Sequence, residues 1–169
     1  MNILGISAFY HDSAACLWQE GKITACAQEE RFSRIKHDHS YPAQAIEYCL
    51  KAGKISPAEL DHIGFYEKPF LKFERILLSH LAGFPRSFPS FLAALPVWLK
   101  EKLWIPHRIR KELGIEKDIL MIEHHLSHAA SSFLVSPFSK AAILTVDGVG
   151  EWARSEEHTS ELQSRTLIS

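Results

Sequence analysis

Residues 118–146, DILMIEHHLSHAASSFLVSPFSKAAILTV, decide how this chain folds. Asp118 to Glu123 form an apolar run of strand length. At His124 the pattern changes to a helix that runs through Ala129, Ala130, Phe133 and Leu134, with apolar residues three and four apart. Pro137 stops that helix. Ala141 to Val146 form a second apolar run of strand length, ending in Asp147-Gly148-Val149-Gly150. Strand, helix, strand and then a glycine turn is the pattern of an α/β protein.

The helix carries three histidines at its start. His124 and His128 stand four residues apart, which stacks both rings on one helix face with Cβ atoms roughly 6 Å apart. Two such rings suit joint ligation of a divalent metal. His125 points about 100° away and suits packing or capping. Alone, an H-x-x-x-H pattern is more often two hydrogen-bonded helix histidines. Its position adds weight, because a strand-to-helix junction is where open α/β sheets bind ligands. The small residues Ser127, Ala129, Ala130 and Ser131 leave room beside the rings. Asp147, at the end of the next strand, is the natural third ligand. Gly148 and Gly150 allow backbone N–H groups to approach a phosphate that shares the metal. Asp-Gly is equally ordinary turn chemistry.

Working outward, Asn2 to Tyr10 predict a strand, His11-Asp12-Ser13 a turn and Ala14 to Trp18 a second strand. Gln19-Glu20-Gly21-Lys22 reads as a hairpin turn and Ile23 to Gln28 as the return strand. Two or three antiparallel strands thus open the fold. His11 beside Asp12 at a strand end suits a general base or a positioning group, or else a turn capped by Asp12 with His11 incidental. The charged run Gln28 to His37 predicts a solvated face, although Arg31, Arg34 and Lys36 could meet an anionic ligand. Ala43 to Ala52 predict a helix ended by Gly53. Ser56-Pro57-Ala58-Glu59 is a second helix-start signal, and His62 to Tyr66 predict a short strand. Residues 69–113 predict an amphipathic helical insert, two or three helices broken at Pro85, Pro89, Pro96 and Pro106.

The totals bound the function classes. The chain has 169 residues, 46% hydrophobic and 23% charged, enough for one domain with a core. Its net charge of −1 gives no bulk electrostatic case for nucleic acid or an anionic membrane. Cys16, Cys26 and Cys49 lack C-x-x-C spacing and are expected to be reduced, buried thiols of a cytoplasmic protein. The N-terminus has no basic region or cleavage site of a signal peptide. No stretch approaches the ~20 uninterrupted apolar residues of a spanning helix. Residues 154–169 break register with everything before them. Their RSEEHTSELQS resembles the in-frame translation of a sequencing adapter, so the expected division is residues 1–153 and a non-native tail, 154–169.

Four blocks in order, ILGISAFYHDSAACL, AQEERFSRIKHD, EHHLSHAASSF and AAILTVDGVGEW, resemble the N-terminal part of the carbamoyltransferase family. That family O-carbamoylates hydroxyl groups of nodulation factors and of aminoglycoside, cephalosporin and coumarin antibiotics. The resemblance spans residues 1–152. It implies an α/β fold, the first half of an actin-like ATPase domain, truncated and carrying the helical insert. It implies that the opening hairpin, with Asp12, and the glycine turn, with Gly148 and Gly150, contact nucleotide phosphates. His124, His128 and Asp147 would ligate a divalent metal, iron by type, and His11 would be the base near the acceptor. The implied partners are ATP, carbamoyl phosphate and a small-molecule hydroxylated acceptor, with carbamoyl-adenylate made in a second, C-terminal domain that is absent from this sequence. A polypeptide of residues 1–169 is therefore expected to have no transferase activity. Two other readings stand beside it. One is a threonylcarbamoyl transferase of tRNA modification, disfavoured by the HDSAA and QEERFSRIKHD blocks and by the lack of a basic patch. The other is a non-catalytic, actin-like nucleotide-binding scaffold.

Overall fold

The structure is a computed structural model that describes residues 1–100 and 102–146 and the backbone of 155–158. Its centre is a five-stranded sheet of β1 (Asn2–Ser7), β2 (Ala14–Gln19), β3 (Lys22–Gln28), β4 (His62–Phe65) and β5 (Ile119–Met121) in the order β3-β2-β1-β4-β5. β1, β2 and β3 are antiparallel neighbours, whereas β4 runs parallel to β1 and β5 parallel to β4. The sheet is mixed and the fold is α/β. Along β1 and β2 the alternation of strand side chains puts Leu4, Ile6, Ala15 and Leu17 on the buried side. Ile63 and Phe65 of β4 continue the layer.

After the short helix α1 (Glu30–Ser33), helices α2 (Ala43–Gly53) and α5 (Ile105–Leu113) complete the core with Ala45, Ile46, Cys49, Leu50, Ile105, Ile109 and Leu113. Burial of each large apolar side chain contributes about 1.5–3 kcal/mol. α5 is the last helix of the stretch read as an insert, and it belongs to the core. The rest of that stretch, α3 (Pro69–Ala82) and α4 (Phe88–Lys100), leaves Phe70, Leu81 and Phe84 exposed. Pro85 falls between helices, and Pro106 sits in the first turn of α5, where a missing N–H costs nothing. Pro96 lies inside α4 without ending it, against the predicted break.

Three further expectations shift. The predicted strand to Tyr10 stops at Ser7, because Phe9 takes a left-handed backbone with φ 71°. Gly53 is not the left-handed cap of α2; Lys54 is, with φ 55°. Gly53 is needed one residue earlier for contact, since a Cβ there would stand 2.3 Å from Leu17 Cδ2. Cys49 is buried, but Cys26 is exposed and Cys16 half-buried directly opposite it. Burial, followed by the neighbouring Cys26, pushes the Cys16 thiol up to about 12.

The charged run after β3 is not wholly a solvated face. Glu29 is 3% exposed, and its carboxylate accepts hydrogen bonds from the backbone N–H groups of Gln44 (3.2 Å) and Ala45 (2.8 Å). It therefore caps α2 from outside the helix, where the helix N-terminus favours negative charge. Glu29→Ala is expected to lower stability by about 2–3 kcal/mol, by leaving the buried Ala45 N–H and the half-buried Gln44 N–H without their acceptor. Urea unfolding of the variant checks this.

α6 (His124–Phe133) follows β5, and β6 (Ile143–Val146) follows α6. β6 pairs antiparallel with β7 (Ser155–His158), as a second, two-stranded sheet. The strand–helix–strand order predicted from the opening stretch is present, but among the described residues β6 does not join the main sheet. None of the described helices is long and apolar enough to cross a membrane.

Candidate functional site

Parallel strands β1, β4 and β5 deliver their carboxyl ends to one edge of the sheet, and each end carries polar residues. After β1 come His11 and Asp12, after β4 Glu67 and Lys68, and after β5 Glu123 and His124. β4 lies between β1 and β5, so with neighbouring strands about 4.8 Å apart the outer two ends are about 10 Å apart. This edge is where open α/β sheets bind ligands.

At the β1 end the Asp12 carboxylate takes two imidazoles. His11 Nδ1 stands 2.8 Å from Oδ2, and His37 Nδ1 stands 2.9 Å from Oδ1. The His37 contact, then the His11 contact, hold the Asp12 carboxyl below its ordinary value. An ionised carboxylate only accepts, so Nδ1 of each ring carries the hydrogen and Nε2 of the neutral ring keeps its lone pair. A depressed carboxyl contributes stability above its unfolded pKa, about 3.9, and loses it as pH falls through the lower folded value. The difference in thermal midpoint between the wild type and Asp12→Asn is therefore expected to shrink as pH falls below about 4.

At the β5 end Glu123 flanks the helix start, with its carboxylate 2.8 Å from Lys68 Nζ. Ser127 Oγ donates to the carbonyls of Tyr66 and Glu123, both at 3.1 Å, fastening the first turn of α6 to the β4 end. The Tyr66 ring meets that of His124 edge-on at 5.5 Å. His124 Nε2 and His128 Nε2 then stand 3.2 Å apart. Two imidazoles bound to one tetrahedral metal at about 2.0–2.1 Å place their nitrogens about 3.3 Å apart. The pair thus fits as half of a divalent-metal shell. Among the described residues no group of three His, Cys, Asp or Glu assembles. The expected third ligand, Asp147, and the expected phosphate-turn residues, Gly148 and Gly150, lie outside the described residues.

His125, the middle histidine, is 4% exposed, and its Nδ1 lies 2.8 Å from Thr145 Oγ1 of β6. It joins α6 to the strand that leads into Asp147, in keeping with its assignment to packing.

Sequence reasoning missed Glu67, Lys72 and His37. Glu67 is 4% exposed and lies 2.9 Å from Lys72 Nζ of α3. The same Lys72 ammonium sits 5.5 Å from the centre of the Tyr10 ring. Lys102 donates to the Phe9 carbonyl, and Arg108 lies 4.7 Å from the centre of the Phe9 ring. Three cations from the helical region therefore hold the loop after β1. The signal for Glu67 was available, because it follows a predicted strand as His11 and His124 do. His37 has no local signal.

The N-terminal region of the carbamoyltransferases, "Carbamoyltransferase N-terminus", matches residues 2–169. An uncharacterized protein of Synechocystis is 54% identical over 160 residues, covering 90% of this chain and 26% of its own length. The nodulation protein NolNO of Sinorhizobium fredii is 34% identical over 153 residues, 87% of this chain and 21% of its own length. An uncharacterized protein of Methanocaldococcus jannaschii is 28% identical over 194 residues, 90% of this chain and 32% of its own length. The chain thus spans about a fifth to a third of these relatives. With residues 2–169 matched to its N-terminal region, the chain belongs to the carbamoyltransferase family.

Proposed function

We propose that this chain is the N-terminal part of an O-carbamoyltransferase that moves a carbamoyl group, by way of ATP-derived carbamoyl-adenylate, from carbamoyl phosphate to a hydroxyl of a small molecule. The observation that carries this reading is the convergence of the Asp12-held imidazole and the His124–His128 pair on one sheet edge. The hairpin followed by parallel strands supports the actin-like assignment, with the loop after β1 and residues Gly148 and Gly150 as phosphate contacts. His124, His128 and Asp147 would hold a divalent ion, iron by type. Bound there, it supplies positive charge for an adenylate phosphate or carbamoyl oxygen.

The chain's own residues have two tasks. His11 takes the proton of the acceptor hydroxyl at Nε2 while Asp12 holds Nδ1–H. The hydroxyl oxygen attacks the carbamoyl carbon, the bond from that carbon to the adenylate oxygen breaks, and AMP leaves with the electron pair. The products are the carbamoyl ester and AMP. Residues 154–169 are, on the same reading, translated adapter; resequencing the gene past codon 153 tests that.

The test is a transfer assay on the extended protein, continued through the region that matches the rest of the relatives. Carbamoyl phosphate, ATP and a panel of hydroxylated acceptors should yield a carbamoyl ester. No ester with any acceptor in a folded, nucleotide-binding protein would overturn the reading. The 169-residue chain alone is expected to turn over none.

A further inference from the structure

Among the described residues six non-glycine residues have positive φ: Phe9, Asp12, Glu20, Arg34, His37 and Lys54. Arg34 and Lys54 cap helices, and Glu20 lies in the β2–β3 turn, where that backbone is ordinary. The other three, Phe9 (71°), Asp12 (49°) and His37 (55°), lie on two loops that are joined to each other. Phe9 N–H donates to the His39 carbonyl at 2.9 Å, and Ser13 N–H donates to the Asp38 carbonyl at 2.8 Å. His37 N–H also donates to Glu30 Oε2 at 3.2 Å. Asp38, 5% exposed, accepts from Ser40 N–H and Oγ, which closes the second loop. Backbone strain of this kind persists only where the surroundings over-determine it, and it concentrates at functional sites.

The result of that zipping is one carboxylate with one imidazole on each oxygen. A carboxylate torsion is broad and roughly two-fold, so a single partner fixes it poorly. We propose that His37 is a positioning residue: by occupying Asp12 Oδ1 it fixes the rotation of the carboxylate that leaves Oδ2 to His11. His37 thereby selects the tautomer and ring orientation of His11 without touching substrate. The proposal rests on reading His11 as the proton acceptor. The alternative is that His37 merely tethers the two loops. In that case another tether, or none, would leave the His11 ring as it is.

The direct test is long-range ¹H–¹⁵N NMR of the imidazoles in the 169-residue chain. The wild type should show Nδ1-protonated His11 and His37. His37→Asn keeps an N–H donor and should preserve the His11 tautomer, whereas His37→Leu should give a mixture. A wild-type His37 protonated at Nε2 and not at Nδ1, or an unchanged His11 tautomer in a folded His37→Leu chain, would overturn the proposal. If His37→Leu does not fold, the wild-type proton and His37→Asn still decide. Kinetics of the extended protein separate this from the function. His37→Leu should lower kcat about 10- to 100-fold with KM little changed, and His37→Asn should restore most of it. An inactive wild type refutes the carbamoyl-transfer reading while the NMR result still judges His37. An active wild type matched by His37→Leu refutes the positioning role alone.

Discussion

Replacing His11 with asparagine in the extended protein is expected to lower kcat by about 10²–10⁴-fold, the usual contribution of a positioned general base. KM for the acceptor should change little, because the lost interaction belongs to the transition state. Asparagine is the informative choice. Its side-chain N–H can still reach Asp12 Oδ2, where His11 Nδ1 now stands at 2.8 Å, so the loop keeps its partner while the second ring nitrogen is removed. Steady-state kinetics of the two proteins check this. A variant within about threefold of wild type would remove His11 from the proton transfer and leave the carboxylate-held pair as structure.

The largest effect on stability is expected at Lys72. Its ammonium and the Glu67 carboxylate are both largely buried, with side-chain exposures of 13% and 5%. Lys72→Met leaves the carboxylate desolvated and without its counter-charge, which costs about 3–5 kcal/mol. It also takes a cation from the face of Tyr10. Lys72→Met with Glu67→Met removes both charges and is expected to recover most of that loss, because an apolar pair of similar volume replaces a buried ion pair at little net cost. Urea unfolding of the two variants separates the outcomes. Equal destabilisation of both would mean that packing, not the charge, matters there.

The fold was legible where its cause is local. The change of period at His124, from a strand run to helical spacing, marks both an element boundary and the start of the site. Glu20 and Gly21 mark the first hairpin, and both strands beside them formed. His124 and His128 share a face simply because four residues make about one helical turn. What was not legible depends on contacts far apart in sequence. Nothing near Ile63 says that β4 runs beside β1 and so brings Glu67 next to the loop of His11 and Asp12. His37 meets Asp12 across 25 residues, through two backbone hydrogen bonds between loops. Glu29 reads as one charge in a polar run, and its burial follows only from where the N-terminus of α2 lands. Gly53 reads as a cap by propensity, yet its place is set by the Leu17 side chain on the neighbouring strand. Local chemistry nominates residues, and the parallel pairing of β1, β4 and β5 makes them neighbours.

The central claim is that this sheet edge is one site, where a metal ion held from α6 meets the imidazole held by Asp12. Titration of the purified chain with ferrous or zinc ion, read as bound metal per chain, tests it most directly. The account predicts one equivalent bound by the wild type. It also predicts affinity at least about 100-fold weaker in His128→Ala, beyond the 10–100-fold typical of losing an outer-shell partner. No stoichiometric binding by the wild type, or equal binding by His128→Ala, would contradict it.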